Sequence, residues 1–118
     1  MAAPNLKTPI TITGKTALYA CTASLASALS NGAASGASLK VNVVRAANLT
    51  TGIATVDLTV FRSATDTYII KTANVAPGSS LVLLDKNEYL YLEEGDALRA
   101  KANATSTIDL TIHYEEIA

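Results

Sequence analysis

The sequence predicts an all-β protein: an antiparallel β-sandwich of about eight strands, jelly-roll-like or immunoglobulin-like in layout. Three observations lead there. Apolar and polar residues alternate with period two through most of Leu39 to Tyr114, the spacing that sends successive side chains to opposite faces of a strand. Turn-forming residues punctuate that alternation at short intervals, as in sandwiches and barrels. No stretch reads as a long helix, so a parallel βαβ crossover has no element to cross with.

The chain has 118 residues, the size of one domain, which buries roughly two-thirds of its unfolded surface. The expected organisation is an extended N-terminal arm at 1–13 and a single sandwich domain at 14–118. Pro4 and Pro9 favour an extended arm, and Ile10 and Ile12 alternate with threonines up to Gly14. Thr16 to Thr22 continues in strand-like fashion with Leu18, Tyr19 and Cys21. Residues 22–38 are almost entirely Ala, Ser, Gly, Thr and Asn. Leu25 and Leu29 stand four apart there, as on one helical face, but Asn31-Gly32 and Ser35-Gly36 break a helix. The stretch therefore reads as a long loop of the kind that carries contacts.

From Leu39 the alternation is plain, with Leu39, Val41 and Val43 on one face and Lys40 and Asn42 on the other. After a turn at Asn48 to Gly52, Val56, Leu58 and Val60 alternate with Thr55, Asp57 and Thr59, the pattern of a half-buried strand. Arg62 to Thr67 turns the chain, Tyr68 to Val75 is rich in β-formers, and Pro77-Gly78 ends that segment. Leu81 to Leu84 is a continuous apolar run, expected of a strand covered on both faces, and Glu88 to Leu92 alternates again. Beyond the turn at Glu94-Gly95-Asp96, Ala97 to Asn103 places Leu98 inward with Arg99 and Lys101 outward. Thr107 to Tyr114 then puts Ile108, Leu110, Ile112 and Tyr114 on one face.

Composition narrows the function. The chain is 49% hydrophobic and only 16% charged, with a formal charge of -1. Lys7, Lys15, Lys40, Arg45, Arg62, Lys71, Lys86, Arg99 and Lys101 are scattered and form no basic run, which argues against nucleic acid as a partner. Low charge with abundant Ala, Thr and Ser suits a surface occupied by protein contacts. Cys21 is the only cysteine, so no intramolecular disulfide or cysteine-based zinc site can be built, and its apolar neighbours suggest a small core residue. The N-terminus lacks the basic-then-apolar pattern of an export signal, and no run approaches the roughly 20 apolar residues of a membrane span. The expectation is an aqueous compartment and no membrane partner.

Candidate chemistry is thin, and no catalytic residue, metal ligand or cofactor is expected. Gly14-Lys15-Thr16 looks like the end of a phosphate-binding loop, but the earlier glycine that loop requires is replaced by Pro9, which has no N–H to offer. His113 stands beside Asp109 and Thr111 on the polar face of the last strand, with no nucleophile motif to serve. Glu93, Glu94 and Asp96 around Gly95 could supply oxygens to calcium, but an acidic turn is ordinary solvated chemistry. Asn48 and Asn103 begin glycosylation sequons that, without an export signal, read as chance matches. Among five tyrosines, Tyr89 and Tyr91 share a strand face and are the one pair able to form a stacking platform, though a core or subunit contact is the favoured reading, since stacking sites usually bring polar anchors and often Trp.

Three segments carry a resemblance: Ala3-Pro4-Asn5-Leu6-Lys7 followed by Ile12-Thr13-Gly14-Lys15-Thr16, the region Val44 to Val60, and Tyr91-Leu92-Glu93-Glu94-Gly95-Asp96 with Tyr114-Glu115-Glu116-Ile117. In these the chain resembles small virion proteins of tailed bacteriophages, particularly those of marine and cyanobacterial hosts. The resemblance implies a non-enzymatic β-sandwich, assembled in the host cytoplasm and attached in many copies to the particle. The first choice is a capsid decoration or cement protein on the major capsid lattice. A neck or tail accessory, or an adhesive carbohydrate-binding module, is the alternative. Expected partners are the major capsid protein or other virion proteins and further copies of the chain, a trimer being one of the oligomers left open. The residues expected to make these contacts are Pro4, Asn5 and Leu6 of the arm, Leu25 and Leu29 of the loop, and the Tyr89–Tyr91 pair.

Overall fold

An alternating strand has one apolar face that must be covered, and the described residues meet the requirement by pairing nine strands into two antiparallel sheets packed face to face. The computed structural model describes residues 11–118; the segment holding Pro4, Asn5 and Leu6 lies outside the described residues. The first sheet contains β1 (Ile12–Ala20), β9 (Ile108–Ile117), β3 (Ser38–Asn48) and β6 (Ser80–Leu84) in the order β1-β9-β3-β6, with β7 (Leu90–Leu92) paired to the other half of β3. The second contains β2 (Ala26–Ser30), β8 (Ala97–Ala102), β4 (Ala54–Arg62) and β5 (Thr65–Val75) in the order β2-β8-β4-β5.

This order selects between the two expected layouts. Both β6 and β7 run antiparallel to β3, separated by a short 3-10 turn at Lys86–Glu88, and so behave as one interrupted strand. Counted that way, the first strand pairs with the last, the second with the second-last, the third with the third-last, and the middle two with each other. That is a long antiparallel ribbon rolled into two sheets, the jelly roll, and not the immunoglobulin arrangement.

The core forms where the alternation placed it except in β3, where a bulge between Val41 and Val43 shifts the parity, turns Val43 outward beside His113 and brings Val44 inward in its place. Leu39, Val41, Val44 and Ala46 of β3 and Ile108, Leu110 and Ile112 of β9 pack with Val56 and Leu58 of β4 and Leu98, Ala100 and Ala102 of β8. Alanines beside Leu and Ile let the two sheets interdigitate.

Four further expectations change. Residues 22–38 are not all loop: Ala26–Ser30 is a strand, because the edge of β8 offers backbone partners that a helix would leave unmet. A register shift between Ser27 and Leu29 explains the lack of readable alternation. The expected boundary at residue 13 falls inside β1, which is already paired to β9 at Ile12. The run Leu81 to Leu84 is an edge strand covered only in part, with Val82 45% exposed.

The fourth change concerns β4. Its polar face is buried at Asp57 and Thr59, where its sheet neighbour β5 slips register beside a left-handed residue, Thr72 (φ 53°), and supplies polar partners. The Thr72 N–H donates to the Asp57 carboxylate at 2.7 Å, and the Thr59 hydroxyl donates to Asp66 at 2.8 Å. Arg99 closes the cluster, donating to Asp66 at 3.0 Å while its guanidinium lies 4.6 Å from the Phe61 ring centroid.

Two outcomes follow for stability. Leu110 is fully buried and Thr111 lies on the opposite, outer face, so Leu110→Ala should cost about 2–5 kcal/mol and Thr111→Ala well under half of that in a urea titration. The β4–β5 hairpin turns through Ser63 (φ 52°) and Ala64 (φ 61°), the left-handed pair of a type I′ turn, a conformation in which glycine escapes a cost of roughly 1–2 kcal/mol. Ala64→Gly should therefore raise the urea midpoint, and a lowered midpoint would show that the turn is not strained.

Candidate functional site

Tyr91 sits opposite Lys40 in the β7·β3 register, so both point away from the core that receives Leu39, Val41 and Leu92. Tyr89 ends the 3-10 turn two residues earlier, and the structure brings the two rings together with centroids 5.8 Å apart. Their planes cross at 85°, edge to face, a stable aromatic contact but not a flat platform. The Lys40 ammonium lies 4.3 Å from the Tyr89 centroid and 4.0 Å from Glu115 of β9, which also accepts from Asn42 at 3.3 Å. The pair therefore forms an amphipathic patch at the sheet edge with a cation over one ring.

The acidic turn is wired to protein donors. Asp96, 3% exposed, accepts from Arg62 Nε at 3.0 Å on both carboxylate oxygens and from the Glu93 N–H at 2.8 Å. Glu93 reaches the same guanidinium at 2.8 Å, and Glu94 accepts the Gly36 N–H at 3.1 Å. Asn31, buried between them, donates its side-chain amide to Ala37 O and Leu92 O, both at 2.9 Å, and exchanges backbone bonds with Gly95 and Asp96. The β2–β3 loop, the β4–β5 hairpin and the β7–β8 turn are thus tied into one junction. A guanidinium stands where a cation would need to be, and among the described residues no three His, Cys, Asp or Glu side chains are grouped to hold a metal ion.

Burial is the largest single influence on Asp96 and pushes its pKa up. The Arg62 hydrogen bond, the Glu93 N–H and the Arg62 charge together outweigh it and hold the carboxyl below its ordinary value. Cys21 lies in the core, where burial, with the Asp109 charge second, pushes its thiol up to about 12. The thiol is protonated at neutral pH and behaves as a small apolar group.

The remaining candidates are dispersed. His113 is exposed in mid-sheet, in register with Thr16 and Val43. Gly14-Lys15-Thr16 lies within β1, not in a loop, and Lys15 pairs with Glu116 at 2.9 Å. Asn48 is buried and donates to Gly52 O and Val75 O, so its sequon is closed to modification. Leu29 packs against the core, and the carbonyl of Leu25 accepts from Arg99, which places both away from the Tyr89–Tyr91 patch and on the other sheet.

The sequence reading missed the exposed aliphatic side chains on the outer face of the first sheet. Cross-strand register lines up Leu18, Thr111, Arg45 and Val82 across the outer face of the first sheet, with Leu18 80% exposed and Ile12, farther along β1, 58%. Their signal was there: Ile12, Gly14, Thr16, Leu18 and Ala20 share one face of β1, a face without charge. Fold and surface together define a jelly-roll domain with exposed aliphatic side chains on the outer face of its first sheet. No protein-family model matches the chain, and no curated protein matches it in sequence.

The junction yields a pH test. A carboxyl held below its ordinary pKa stabilises the fold above about pH 4 and loses that contribution as pH falls through the lower folded value. Asp96→Asn should flatten the acid limb of the stability–pH curve. Arg62→Ala, which leaves a buried carboxylate short of donors, should cost about 1–3 kcal/mol at pH 7. An unchanged acid limb in Asp96→Asn would assign acid unfolding to other groups.

Proposed function

We propose that the chain is a non-enzymatic structural protein of a bacteriophage virion, a decoration or cement protein bound in many copies to the major capsid lattice. One observation carries the reading: a jelly roll, an architecture found in viral capsid domains, that leaves Leu18, Ile12 and Val82 exposed on the outer face of one sheet. Fold alone does not carry function, so the surface matters more. Contacts of this kind, each modest, add up when many copies engage one lattice. The sequence resemblance to small virion proteins of tailed phages supports the same assignment.

A carbohydrate-binding role would draw support from two tyrosine faces presented side by side. The perpendicular rings and the lysine over Tyr89 favour a protein contact at that patch instead.

The test is quantitative mass spectrometry of purified particles of the phage that encodes the chain. A copy number in fixed proportion to the major capsid protein is expected. A number suited to a single ring would move the protein to the neck or tail, and absence from particles would end the virion reading. Co-sedimentation with stripped capsids should weaken when residues 2–9 are removed and should change little with salt, since the interface lacks a charged patch.

A further inference from the structure

A jelly roll leaves four sheet edges, and unpaired strand edges invite pairing with other chains unless something blunts them. Three of the four are blunted here. The edge strand β2 is five residues long with a register shift. The β6/β7 edge is interrupted by the 3-10 turn and shifts register within β6. The edge strand β5 is kinked at Thr72 and slips register twice against β4. β1 differs: its nine residues run in unbroken register with β9, with no proline and no bulge.

The direction of its backbone groups can be read from its ends. Thr11 and Ala118 exchange N–H···O bonds at 2.8 and 2.9 Å, and the Cys21 N–H donates to Ile108 O. Since hydrogen-bonded and non-bonded pairs alternate in an antiparallel ladder, the odd-numbered residues of β1 bond to β9 and the even-numbered ones point their N–H and C=O outward. Among the described residues nothing accepts or donates to those outward groups.

We propose that this edge pairs with itself: two copies of the chain join β1 to β1, antiparallel, about a two-fold axis through Thr16. The strand is self-complementary in that register. All nine residues pair, the outward even-numbered groups meet each other, and Thr16 faces Thr16 of the second copy, a favourable cross-strand pair. Leu18, the most exposed large apolar residue, falls opposite Gly14 of the second copy, where the space beside the glycine is empty. Ile12 falls opposite Ala20, again large against small. The one charge, Lys15, is neutralised within its own chain by Glu116 and faces Ala17, so like charges are not opposed. An isologous contact of this kind closes on itself as a dimer, making one continuous sheet from two. The dimer does not rest on the virion reading and forms without a capsid.

Sedimentation velocity of the full-length chain over a concentration series tests it. A species of twice the 12.2 kDa chain mass is expected. Thr16→Pro removes an N–H that faces away from β9, and Leu18→Lys places a charge on an exposed position; each should raise the dimer dissociation constant by about tenfold or more. Should Thr16→Pro fail to fold, Leu18→Lys, at a side chain that touches little of the monomer, carries the comparison. Under mild oxidation Thr16→Cys should cross-link two copies and Gly14→Cys should not, because only position 16 meets its own equivalent. A chain monomeric at every concentration overturns the proposal, as does a dimer indifferent to both substitutions or one cross-linked through position 14. Dimerisation only after removal of residues 2–9 also overturns it, by giving the edge to the arm.

Discussion

The structure depends on β9 being paired on both sides. Its ten residues bond to β1 along one edge and to β3 along the other, while Ile108, Leu110 and Ile112 on its inner face sit at the centre of the core. One partner lies near the start of the described chain and the other in its first half, so the first sheet is assembled entirely from distant segments. The entropy of closing such long loops grows only with the logarithm of their length, which lets apolar burial along one strand offset it. The same topology predisposes the domain to slow folding, since few of its pairings are local. The β4–β5 hairpin, closed by two residues, is the principal local exception.

The strands that proved legible in the sequence are those whose inner and outer residues differ in kind. β9 reads Ile, Leu, Ile against Asp, Thr, His, and β8 follows the same logic, whereas β3 does so only up to the bulge after Val41. β2 was illegible because alanine and serine differ too little in polarity to mark a face, and a bulge then shifts the parity. The burial of Asp57 and Thr59 was illegible for another reason: it depends on polar partners in a neighbouring strand, fifteen residues away for Asp57, and local alternation cannot report it. Of the candidate site, the nearness of Tyr89 and Tyr91 followed from their spacing, but the perpendicular angle between the rings did not, since Tyr89 caps the 3-10 turn and is not part of the strand that holds Tyr91. The Arg62–Asp96 junction joins residues thirty-four apart and carries no sequence signature.

The sparse charge of the chain takes on meaning once its partners are known. Arg62 is engaged by Asp96 and Glu93, Arg99 by Asp66, and Lys15 by Glu116. Charges that elsewhere would cover a surface with tightly held water are here directed into joints between loops and strands. On the outer face of the first sheet, the β1 margin carries only Ile12, Gly14, Thr16, Leu18 and Ala20, a strip that dehydrates at low cost when another protein approaches.

Cys21 gives the molecule an internal clock. Its sulfur is sealed between the sheets and its proton is held to about pH 12, so a thiol reagent can reach it only when the end of β1 separates from β9 and the thiol recovers ordinary acidity in water. Where closing outpaces labelling, the rate of modification measures the fraction of time the roll stands open at that seam. A partner that clamps the first sheet would slow the reaction without touching the cysteine. Engagement could then be followed through a single native atom, with no label added to the surface under study.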